Sequence, residues 1–173
     1  MHAKPDLRVV LKWMITRSGS VIADVIPLTG DILASYNDLT ACDYFGDEHS
    51  SVLTAVGWLE SGSGHRKGKS DFETYERLMV LFQDPWQPFV FAGGHYCSLC
   101  QFSGPLGCTN LFIPDGTKIF VCPELITHYI ASHHYLPPAS FVAAVMACPD
   151  IRTMEYKRLL LESGGRELVK NAE

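Results

Sequence analysis

At 173 residues the chain has room for one domain with a real core, and 47% hydrophobic against 19% charged residues is a folded rather than a disordered balance. The formal net charge of -5 argues against a nucleic-acid partner, which requires a surplus of Lys and Arg. No run approaches the ~18 apolar residues needed to span a bilayer, and Met1-His2-Ala3-Lys4-Pro5-Asp6 lacks the apolar centre of a signal peptide, so the cytoplasm is the expected compartment.

Residues 7–15 and 21–26 are rich in Val, Ile and Leu and flank Ser18-Gly19-Ser20, which predicts a β-hairpin. Residues 51–60 read as a helix, with Ser50 as cap and Val52, Leu53, Val56 and Leu59 at helical spacing. The Gly- and Ser-rich stretch 61–69 reads as a loop, and its basic run His65-Arg66-Lys67-Gly68-Lys69 as a solvated one. Ser70-Asp71-Phe72-Glu73 has the form of a capping box. The helix behind it would bury Phe72, Tyr75, Leu78, Met79 and Phe82, and end before Asp84-Pro85-Trp86-Gln87-Pro88, where two prolines forbid helix.

Residues 89–92 look like a buried strand leading into Gly93-Gly94. Leu111-Phe112-Ile113-Pro114 and Thr117-Lys118-Ile119-Phe120-Val121 flank Asp115-Gly116, a hairpin signal in which both turn residues would take positive φ. Pro114 marks its strand as an edge. Pro123 then suits the first turn of a helix whose apolar face is Leu125, Ile126, Tyr129 and Ile130. Pro137-Pro138 ends it, a helix over about 139–147 follows, and a last one over about 154–163 starts at Thr153 and stops at Gly164-Gly165. The sum is an α/β chain of the α+β type, read as one domain over 1–173.

The chemistry concentrates in a zinc-binding core of about 89–138. Of the six cysteines, none is expected in a disulfide in a reducing compartment, and Cys42 and Cys148 read as small buried hydrophobes. Cys97-Ser98-Leu99-Cys100 is a knuckle that can grip one ion between two thiolates. The helix 27 residues on carries His128 and His133, and thiolate with imidazole suits tetrahedral zinc rather than the oxygen-seeking magnesium or calcium. His128 and His133 lie five apart, about 140° around an ideal helix, so both reach one ion only if the helix loosens at its end. Cys122, at the expected start of that helix, is the main substitute ligand; His134, Cys108 and His95 are weaker ones. A dithiol redox pair and an incidental cysteine pair are the competing readings, although Tyr96 rather than Trp precedes Cys97 and no parallel βαβ pattern surrounds it.

Val56-Gly57-Trp58-Leu59, Gly94-His95-Tyr96-Cys97-Ser98-Leu99-Cys100 and Pro123-Glu124-Leu125-Ile126-Thr127-His128-Tyr129-Ile130, running on to His133 and Tyr135-Leu136-Pro137-Pro138, together resemble an uncharacterised bacterial protein family. The likeness spans roughly 50–160. It implies no activity and no catalytic residue, and it favours His133 over His134.

There is no His-x-Glu before the cysteine pair as zinc deaminases need, no His-Glu-x-x-His, no Gly-x-Ser-x-Gly and no P-loop. Glu124 is a candidate general base, although a Glu in a first helical turn also suits the helix dipole. The expected function is a structural-zinc interaction or regulatory module, with another protein as partner and no catalytic residue. The alternatives are a zinc hydrolase with an open metal position and a dithiol redox protein.

Overall fold

The computed structural model describes residues 9–15, 21–27, 35–89 and 94–171. The N-terminal hairpin has β1 (Val9–Ile15) antiparallel to β2 (Val21–Pro27), in a register running from Val9 opposite Pro27 to Ile15 opposite Val21. The Ser18-Gly19-Ser20 cluster and most of the strand expected over 89–92 lie outside the described residues.

The core is a three-stranded mixed sheet in the order β3 (Leu53–Ala55), β7 (Ile119–Pro123), β6 (Asn110–Pro114). β6 and β7 form the expected antiparallel hairpin, while β3 runs parallel to β7. Every residue of β7 is buried, as are Leu111 to Pro114 of β6. A strand covered on both faces reads as a continuous apolar run, which is what Ile119-Phe120-Val121 supplies. β6 is an edge, which suits Pro114, whose missing N–H leaves no ladder bond unmade.

The hairpin turn differs from expectation. Among its residues only Gly116 has positive φ, at 93°. The chain turns over Asp115–Lys118, where one Asp115 carboxylate oxygen accepts from Thr117 N and Thr117 Oγ1, each at 2.8 Å, and from Lys118 N at 2.9 Å. The Asx arrangement replaces the two-residue turn.

The helix expected over 51–60 is absent; Leu53–Ala55 is a strand and the chain runs on irregularly to Leu59. A short apolar run fits a buried strand as well as a helix, and here the sheet wins. Gly57, at φ 72°, breaks any helix, and a Cβ there would come within 2.9 Å of the Ile126 side chain. Ser50 bonds back to the Asp47 carbonyl instead of capping.

Helix α1 (Phe72–Leu81) forms, but without a side-chain cap bond, and it buries Thr74, Leu78 and Leu81. Phe72 is 69% exposed and Met79 45%, so the apolar face is rotated from the one expected, and only Leu78 of that set is fully buried. The ends of α2 (Ile126–His133), α3 (Ala139–Ala147) and α4 (Met154–Glu162) fall where the prolines and glycines set them, apart from the start of α2. Thr153 caps α4 by accepting from Tyr156 N at 3.2 Å, and Tyr156 in turn donates to the Phe112 carbonyl, fastening the helix to β6. A short α5 (Arg166–Asn171) follows Gly164-Gly165 and was not expected. Cys42 and Cys148 are buried, as read from their surroundings.

Candidate metal centre

A two-stranded ribbon, β4 (His95–Tyr96) with β5 (Leu106–Gly107), carries the knuckle in its loop. Cys97 N donates to the Pro105 carbonyl at 3.1 Å, closing the loop on itself. Gly104 is required there, because a Cβ would stand 2.7 Å from the Cys97 carbonyl oxygen and 2.8 Å from its Cβ. Ser98, between the cysteines, accepts from Ser61 N at 2.9 Å, which ties the knuckle to the segment leaving β3.

The histidines come from α2. Pro123 does not open this helix: it closes β7, and the first helical residue is Ile126. Cys122 is therefore a strand residue, fully buried, with burial holding its thiol far above the usual range. It cannot serve as the helix-start ligand.

At the other end the helix loosens. His134 is in the left-handed conformation at φ 55°, and its N–H reaches back five residues to the Tyr129 carbonyl. A five-residue bond is the wider, π-type turn. It brings positions five apart together, and the Nε2 atoms of His128 and His133 lie 3.1 Å from each other.

The four side chains converge. His133 Nε2 is 3.3 Å from Cys97 Sγ and 3.5 Å from Cys100 Sγ, and His128 Nε2 is 3.3 Å from Cys100 Sγ. All four ligand atoms lie within 4.8 Å of one another, the one such group among the described residues. A tetrahedron built on ordinary zinc–ligand bond lengths has edges of about 3.3 Å between nitrogens and about 3.6 Å between nitrogen and sulfur. The donor set and spacing thus fit a metal ion. Cys108, His95 and His134 are not in the group.

Burial lowers the pKa of His128, and that of His133 as well, where His128, His65, His134 and Lys67 add positive neighbours. Both imidazoles are thereby biased to the neutral form that ligates. Lost hydration and the adjacent Cys97 thiol push Cys100 up. A cation between the sulfurs reverses that preference, because a coordinating thiol loses its proton.

Glu124 is otherwise engaged. Its Oε2 accepts from Cys108 N at 3.0 Å, Thr109 N at 3.3 Å and Thr109 Oγ1 at 3.1 Å, and its own N–H donates to the Thr109 carbonyl at 2.9 Å. It clamps the exit of the ribbon to the approach to α2. His65, read from sequence as part of a solvated loop, is half-buried beside Tyr135 with its ring centroid 6.3 Å away. Nothing in its sequence neighbourhood signals that position.

Residues 34–146, well over half the chain, match the family described as Domain of unknown function (DUF7919). That span holds all four converging side chains and leaves out the N-terminal hairpin. No curated protein and no solved structure matches the chain.

Proposed function

The chain belongs to the DUF7919 family, a domain of unknown function, and from that footing we propose that Cys97, Cys100, His128 and His133 bind zinc in a closed structural centre. The observation that carries this is the convergence of two sulfurs and two imidazole nitrogens within 4.8 Å. Sulfur with imidazole in a tetrahedral set selects zinc. When bound, the ion supplies charge that holds two thiolates and two neutral imidazoles in one place. Four protein ligands leave it no exchangeable position, so it generates no hydroxide.

The centre joins three parts of the chain. Cys97 and Cys100 belong to the ribbon loop, His128 and His133 to α2, and Ser98 reaches the segment after β3. What it holds out is the ribbon, where Tyr96 and Leu106 face each other across the strands at 54% and 45% exposure and Phe102 at the loop is 86% exposed. Exposed apolar side chains on a rigid knuckle suit an interaction or regulatory module acting on another protein. Six free cysteines support a reducing compartment, the cytoplasm. No helix among the described residues is long and apolar enough to cross a membrane.

Elemental analysis of protein purified without chelator tests the metal, with about one zinc per chain expected. Cobalt substitution tests closure. An intense tetrahedral spectrum that azide and hydroxamates leave unchanged is expected; a spectrum that shifts with either would show an open position and refute the structural role.

A further inference from the structure

The knuckle rests on a turn whose own bonds involve none of the four converging side chains. Val56 N and Trp58 Nε1 both donate to the Val121 carbonyl of β7, at 3.0 and 3.1 Å, so the segment leaving β3 is fixed to the sheet as far as Trp58. Beyond it the chain turns over residues 60–63. Ser63 N donates to the Glu60 carbonyl at 3.1 Å, and Ser63 Oγ donates to that carbonyl at 2.7 Å while accepting from Glu60 N at 3.2 Å. Gly62 supplies the positive φ, 90°, that such a turn takes at its third residue.

These bonds join the ends of the turn and leave the Ser61 N–H to an outside partner. It donates at 2.9 Å to Ser98 Oγ, the hydroxyl between the two cysteines. The same segment meets the other half of the centre. The Leu59 carbonyl accepts from the Tyr129 hydroxyl at 3.4 Å, and the Tyr129 ring centroid lies 6.0 Å from that of His128 and 6.2 Å from that of His133. Residues 59–61 thus touch the sulfur half through Ser98 and the imidazole half through Tyr129.

We infer that the turn over 60–63 is a docking seat for the knuckle, with Ser98 and the backbone N–H of Ser61 as positioning groups of the metal centre. Seated there, Cys97 and Cys100 face His128 and His133 across the space one ion fills, and the Ser61–Ser98 bond adds to metal affinity. This rests on the zinc reading above. It gives the Ser- and Gly-rich segment after β3 a part in metal binding although it supplies no ligand.

The test is zinc affinity by chelator competition on the full chain. Ser98→Ala removes the acceptor and should weaken binding about threefold to tenfold, the worth of one hydrogen bond. Ser98→Thr keeps the hydroxyl and should restore most of it. Ser61→Pro deletes the donor at the second position of the turn, where proline fits. It should weaken binding at least as much as Ser98→Ala, while its chelated form melts no lower than the chelated wild type. Hydrogen exchange on the wild type adds a readout that does not depend on any variant folding: the Ser61 amide should be protected in the zinc-loaded protein and lose that protection on chelation. Wild type that takes up no metal would sink the zinc reading and this inference with it. Wild type that loads normally, with Ser98→Ala and Ser61→Pro binding as tightly or with the Ser61 amide exchanging freely in the zinc form, would overturn the seat alone.

Discussion

The sheet and the knuckle ribbon are held by different physics. In β6 and β7 the side chains from Leu111 to Ile113 and from Ile119 to Cys122 are at most 1% exposed, and α3 and α4 cover them with Phe141, Val145, Tyr156 and Leu160. The ribbon has two residues per strand, and Tyr96, Phe102 and Leu106 open to solvent. Burial stabilises the first at about 25 cal/mol per Å² of apolar surface, and the second has little such surface to bury. A two-stranded hairpin alone is marginal in water. On the proposed zinc reading, the four converging side chains stand in for the core the ribbon lacks.

Metal removal should separate the two regions most strongly. Structural zinc binds with apparent free energies of about 10–16 kcal/mol in peptides. Stripping it should lower the melting temperature by more than 10 °C, because losing even several kcal/mol moves a domain of this size that far. Hydrogen exchange should locate the damage: amides of β4, β5 and the loop between them lose protection, while β6 and β7 keep theirs. Uniform loss across both regions would show that they are one cooperative unit.

Phe120→Ala is the converse. It empties a fully buried site in β7 and should cost about 3–5 kcal/mol. The purified variant should still carry one zinc per chain, and denaturant melts with elemental analysis check both halves.

Gly104→Ala sharpens the ribbon side. The added Cβ would stand 2.7 Å from the Cys97 carbonyl, and relieving that strain costs about 1–3 kcal/mol. Because the strain falls on the knuckle, zinc affinity should drop about tenfold or more while the chelated protein melts as the chelated wild type does.

The smallest effects separate clamp from ligand. Glu124→Gln weakens three hydrogen bonds to Cys108 and Thr109 and should cost about 1.5 kcal/mol with zinc retained. His134→Ala should leave zinc affinity unchanged, whereas His133→Ala should abolish stoichiometric binding; titration against a chromogenic chelator distinguishes them.

Much of the fold was legible because local chemistry agreed with it. Thr153 capped α4 and Gly164-Gly165 followed its end, and Asp115-Gly116 marked the β6–β7 turn. The segment 51–60 misled because Val52, Val56 and Leu59 sit at helical spacing while the competing partner, β7, lies more than sixty residues away in sequence. The face of α1 misled in the same way, since tertiary contact buried Thr74 and Leu81 beside Leu78 and left Phe72 and Met79 exposed. At the site, Cys97, Cys100, His128 and His133 could be named from residue type and spacing. That Cys122 stays in a strand, and that the turn at His134 widens to swing His133 toward His128, follow from how β7 and α2 meet, which no local pattern records. His65 had no signal at all, because its burial is made by the pairing of its loop with residues 134–136.

X-ray absorption at the zinc K-edge of the purified protein reads the coordination shell itself. A closed centre should show two sulfurs at about 2.3 Å and two nitrogens at about 2.0–2.1 Å. An oxygen or a water in the shell, or fewer than two sulfurs, would contradict a closed centre built from Cys97, Cys100, His128 and His133.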